Sequence, residues 1–213
     1  MRFTLASRPK RRSSLSLSLF FLLAAPVFSV TADDTKTGRP NSIVAADRVA
    51  CSLHPKAEEP SDRSSTSAIS HAEKFVAREH FKEDISSGAA VKISCLGATF
   101  ARRFTGKVED DAGATSFPTY VLNSSSSDQE ILAELGQGHE SSLVDVWCLL
   151  RLQPNGDRGA LQTRSNPNIF FVRDVAGELG VLDAIWGGAG WEIGASPVGD
   201  TRRWPSGTRV FSR

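Results

Sequence analysis

The chain has 213 residues, 40% of them hydrophobic and 23% charged, and a formal net charge of +1, a balance that excludes a disordered polyelectrolyte and a fibrous repeat. The charge is unevenly placed. Arg2, Arg8, Lys10, Arg11 and Arg12 fall in the first 32 residues, which hold no carboxylate, so the remainder is mildly acidic and argues against nucleic acid as a partner.

Residues 1–32 read as a secretory signal: a basic stretch to Arg12, an apolar run from Leu15 to about Phe28, and Val30-Thr31-Ala32 as the cleavage site. Ser16, Ser18 and Pro26 interrupt the run, which is shorter than the about 20 apolar residues that a bilayer-spanning helix needs. The expectation is therefore an exported protein, periplasmic or secreted, with no stable transmembrane helix once the signal is removed. Arg11-Arg12 also fits a twin-arginine variant of such a signal.

Residues 33–66 are rich in Asp, Lys, Pro and Ser and read as a disordered linker, with apolar residues gathered only between Ile43 and Ala50. A single domain follows over 67–213. Ala68, Ala72, Phe75 and Val76 recur at three- and four-residue spacing, which predicts an amphipathic helix over 68–82. Val91, Ile93 and Cys95 alternate with Lys92 and Ser94, the period of a half-buried strand ending at Gly97. Residues 100–108 fit a helical turn or a loop. Thr115 to Leu122 favours strand, but Pro118 demotes it to an edge strand or extended loop. Asp128 is the expected N-cap of a short helix to Leu135, closed by Gly136, and a second helix should run from about Ser141 to Gln153. Four strands close the chain, over 168–175, 179–186, 190–198 and 208–212. Their short turns predict an antiparallel meander. The fold class expected is α+β, with N-terminal helices packed on a mostly antiparallel C-terminal β-meander.

Val91-Lys-Ile-Ser, Leu96-Gly97, Phe100, Phe104, Gly106-Lys-Val-Glu109, Ile131-Leu-Ala-Glu-Leu-Gly136, Asn168-Ile-Phe-Phe-Val-Arg-Asp174 and Arg209-Val-Phe-Ser-Arg213 resemble an uncharacterised protein family of candidate-phylum (Patescibacteria-type) bacteria, over about residues 68–213. That family has no assigned activity. The shared positions are mostly aromatic, apolar and glycine, so the resemblance implies a common domain and no catalytic residue.

The sequence holds few chemical motifs. His54, His71, His80 and His139 show no metal-ligand spacing, and no serine sits in a hydrolase motif, so neither a metal nor a cofactor is expected. Gly188-Ala-Gly190-Trp191-Glu-Ile-Gly194 has glycines spaced like a dinucleotide loop, but it joins two expected strands and reads as a hairpin turn. Cys51, Cys95 and Cys148 leave one thiol unpaired whichever pair forms, and all three pairings stay open. The candidate binding face is Arg202, Arg203, Trp204 and Arg209, where cations and an aromatic gather near the C-terminus. A structural reading competes, in which Trp204 closes the core and the arginines point outward from a last strand. The leading functional expectation is a non-enzymatic binding domain for a protein or envelope component. The alternative is an exported hydrolase with a site built from scattered polar residues.

Overall fold

The computed structural model describes residues 42–51, 53, 74–110 and 115–213. The signal, most of the linker and the start of the first expected helix lie outside the described residues. The described residues belong to one unit, Gly38–Arg213.

Among the described residues strand accounts for 38% and helix for 19%, which overturns the expected α+β layering: the helices are short and scattered along a sheet that draws strands from Ile43 to Phe211. In chain order the elements are β1 (Ile43–Cys51), β2 (Lys74–Val76), α1 (Ala77–His80), β3 (Ile93–Leu96), α2 (Ala98–Arg103), β4 (Val108–Asp110), β5 (Thr115–Leu122), α3 (Asp128–Leu135), β6 (Glu140–Ser141), α4 (Leu143–Leu152), β7 (Asn168–Arg173), β8 (Leu179–Trp186), β9 (Trp191–Pro197) and β10 (Arg209–Phe211). The main sheet has the order β1-β5-β10-β7-β8-β9-β3, with β6 beside β7, while β2 and β4 pair separately. Among the described residues no helix is long and apolar enough to cross a membrane.

Strands β7, β8 and β9 form the expected antiparallel meander. The fourth expected strand does not extend it. Residues 198–208 cross one face of the sheet, seating Trp204 there, so β10 returns beside β7 and runs parallel to it while pairing antiparallel with β5. A crossover delivers a parallel neighbour where a tight turn delivers an antiparallel one.

In the described part of the helix expected over 68–82, residues 74–82 form β2 and the single turn of α1. Phe75 and Ala77 are both buried, an alternation that suits pairing with β4, and the Ala77 N–H donates to the Lys107 carbonyl at 3.0 Å. Within the stretch read as linker, the Ile43 to Ala50 cluster forms β1. The N–H groups of Ser42 and Ile43 donate to the Glu134 carboxylate at 2.9 and 3.0 Å, and a Cys51–Cys148 disulfide ties the far end to α4. Strand β5 is internal despite Pro118. The proline lies beside a register break between Ala45 and Arg48 of β1, where the Asp47 N–H is taken by Thr119 Oγ1 at 3.1 Å and the ladder asks no donor of residue 118.

Two apolar clusters flank the sheet. Helix α4, buried from Leu143 to Leu150, packs with Phe170, Val172, Leu182, Ala184 and Phe211 on one face; Ile131 of α3 and Trp204 pack with Ile169, Phe171, Val181 and Val210 on the other. Both helices start at capping boxes, Ser127 with Glu130 and Ser142 with Asp145. Asp128 is thus not the cap. It is buried, and its carboxylate accepts from the indole Nε1 of Trp204 at 2.7 Å and the Gly199 N–H at 3.0 Å, locking the crossover onto α3.

Candidate functional site: an arginine-lined cleft

After α4 the chain makes a long connection to β7, held shut by two buried amides. The Gln153 side chain donates to the carbonyls of Asp157 at 2.5 Å and Leu161 at 3.0 Å and accepts from the Leu161 N–H at 2.7 Å. Asn168 accepts from the Gln162 N–H at 2.7 Å and donates to the Gln162 and Ala184 carbonyls at 2.9 and 3.0 Å. These bonds replace the ladder that an irregular segment lacks, because buried backbone groups must be paired somewhere. Close approach is also required: at Gly156, where φ is 70°, a Cβ would come within 2.2 Å of the Trp186 ring, and at Gly159 within 2.5 Å of the Gln153 amide.

The pinned loop and β10 border an open cleft of about 420 Å³, lined by Arg158, Gly159, Leu161, Gln162, Thr163, Arg164 and Arg209. Arg158 and Arg164 are exposed and Arg209 is half-buried. No carboxylate is among the lining residues. Arg209 Nη1 donates to the Ala160 carbonyl, while its Nε–H is buried without a hydrogen-bond partner among the described residues. Leaving a buried charged donor unmet costs about 1–3 kcal/mol or more. A site for negative charge is the chemistry that such a lining supplies, since guanidinium forks match carboxylate and phosphate oxygens and stay charged at any working pH.

The expected binding face is divided by the structure. Strand alternation puts Val210 with Trp204 on the α3 face and Arg209 with Phe211 on the other, so Arg209 joins the cleft and leaves its three sequence companions behind. Trp204 is 3% exposed, a core residue. The guanidinium of Arg202 lies 5.0 Å from its ring centroid and reaches Asp183 at 3.5 Å and Asp200 at 3.7 Å. Burial pushes the Asp183 carboxyl above its ordinary value, against the pull of Arg202. Arg203 donates to the Ser125 carbonyl at 2.6 Å and to Glu130 at 2.9 Å. These arginines fasten the crossover in place. Arg158 and Arg164 stand outside the face expected from sequence; two arginines six apart in a Gly- and Asn-rich loop, with one carboxylate between Pro154 and Pro167, are the signal that the sequence holds for them.

A smaller cleft of about 200 Å³ lies beside Trp147 and includes Glu79, His80, Lys82 and Asp84. There the His80 ring stacks on Phe75 at 4.3 Å, and the Asp84 carboxylate accepts from the Ser86 N–H at 2.8 Å, which holds it below the usual carboxylate range. Gly188 to Gly190 fall in the β8–β9 hairpin, without the helix N-terminus that a dinucleotide loop feeds. Among the described residues no group of three His, Cys, Asp or Glu side chains is placed to hold a metal ion. Cys95 is exposed and free. No protein-family model, no curated protein and no solved structure matches the chain.

Proposed function

We propose that the chain is a non-enzymatic binding module of the cell envelope or secretome that takes an anionic partner in the cleft of Arg158, Arg164 and Arg209. The observation that carries the reading is the cleft's composition: three arginines and no carboxylate-bearing residue line it, in a chain whose other C-terminal arginines are engaged by acids and carbonyls. Export is supported by the N-terminal charge pattern and by the Cys51–Cys148 disulfide, a bond that persists in oxidising compartments. The resemblance to uncharacterised candidate-phylum proteins, which carries fold positions and no catalytic residue, agrees with a binding role.

The test is titration of the oxidised chain with citrate, sulfate and pyrophosphate at two salt concentrations, alongside an Arg158→Ala/Arg164→Ala variant. Saturable binding that weakens with salt and is lost in the variant, with an unchanged melting temperature, is expected. Binding of none of the three anions, or equal binding by the variant, defeats the reading.

A further inference from the structure

We infer that the anion held in this cleft is a phosphate monoester, a tetrahedral dianion carried on an organic body. The inference rests on the reading of the cleft as an anion site and adds the ligand's chemistry to it.

The donors lead to the headgroup. Each guanidinium offers five N–H groups in a plane; in Arg209 the Ala160 carbonyl takes Nη1, and Nε–H is buried without a partner among the described residues. A carboxylate has two oxygens to share among three arginines, whereas a phosphate monoester has three terminal oxygens and about two charges at neutral pH. Thr163 adds a hydroxyl of the kind that donates to phosphate oxygens.

The size leads to the organic body. About 420 Å³ of open cleft gives room for an organic body beside the anionic group, beyond what a bare inorganic anion fills. Rigidity favours discrimination, since the loop is already fixed by Gln153 and Asn168 and pays little ordering entropy on binding.

The experiment uses the oxidised full chain and three probes at pH 7.5 and constant ionic strength: phenyl phosphate, phthalate and inorganic phosphate. Phenyl phosphate and phthalate share a ring and a double charge and differ in the geometry of the oxygens. Phenyl phosphate should bind at least tenfold tighter than either of the others, and should weaken as the pH falls below about 6, where its second proton returns. Arg209→Lys, which keeps the charge and loses the fork, should reduce that affinity at least tenfold. If that variant melts lower than the parent, Arg164→Ala on the exposed rim serves in its place and should show the same loss. Phthalate binding as tightly as phenyl phosphate overturns the phosphate assignment and leaves the anion site standing. Inorganic phosphate binding as tightly overturns the organic body. No binding by any probe, together with no binding of citrate, sulfate or pyrophosphate by the parent chain, removes both the inference and the reading beneath it; no binding by any probe in a chain that does bind those anions overturns the inference alone.

Discussion

Replacing Trp204 by alanine should unfold the protein far more readily than any surface change near it. The indole is 3% exposed, packed with Ile131, Phe171 and Val210 between the sheet and α3, and its Nε1–H is met by Asp128 at 2.7 Å. Truncating a buried aromatic to alanine costs about 3–5 kcal/mol. Asp128 keeps the Gly199 N–H at 3.0 Å, so its carboxylate loses one of two donors, and we take about 4 kcal/mol as the working value. For a chain of this size that lowers the melting temperature by about 8–16 °C. Trp204→Phe separates the two contributions: most of the ring packing survives and only the bond to Asp128 goes, at about 1–3 kcal/mol. Urea and thermal melts followed by far-ultraviolet circular dichroism measure both. A Trp204→Ala protein that melts within about 2 °C of the parent refutes the placement of this ring in the core and returns Arg202, Arg203 and Trp204 to the list of binding surfaces.

Reducing the Cys51–Cys148 disulfide, which spans 97 residues, should destabilise the domain by up to about 4.7 kcal/mol on chain-entropy grounds, and Cys95→Ser should leave the urea midpoint unchanged under oxidising conditions; equal midpoints with and without reductant would contradict the first statement. Asp174 governs part of the acid limb. Burial alone would raise its carboxyl, but the Arg103 guanidinium at 2.6 Å and the N–H groups of Glu178 and Ala176 outweigh burial and hold it below the ordinary 3.8. A depressed folded value means that its stabilisation is present above that ordinary value and disappears as the pH drops through the lower, folded one. Asp174→Asn should therefore be less stable at pH 7 and show a shallower loss of stability below about pH 4; an acid limb identical to the parent's would count against the Arg103 pairing.

Local pattern carried most of the C-terminal half. Strand β8 ends at both residues expected, Leu179 and Trp186, because Gly177 and Gly187 punctuate a β-rich run, and α3 and α4 fall within a residue or two of expectation because polar caps precede apolar stripes. What the sequence hid was long-range. Nothing in Lys74–Val76 announces pairing with Val108–Asp110, and helical spacing of Phe75 and Val76 with Ala68 and Ala72 was the stronger local signal. The crossover of residues 198–208 was hidden for a related reason: Gly199-Asp200 has the chemistry of a tight turn, yet Asp128, seventy-one residues away, captures the Gly199 N–H and leads the chain across the sheet. The same crossover split the expected face. Arginines close in sequence are not close in space here: Arg209 is brought to Arg158 and Arg164 by sheet order and by a loop whose geometry depends on Gln153 and Asn168.

The most direct test of the arginine cleft is a backbone-amide NMR titration of the oxidised protein with phenyl phosphate. Saturable shifts confined to residues 158–164 and the neighbourhood of Arg209 are the expected result, with Arg202 and Arg203 unmoved and the pattern abolished in the Arg158→Ala/Arg164→Ala protein. Shifts centred on Arg202 and Arg203, or a spectrum unchanged at millimolar ligand, would contradict the account.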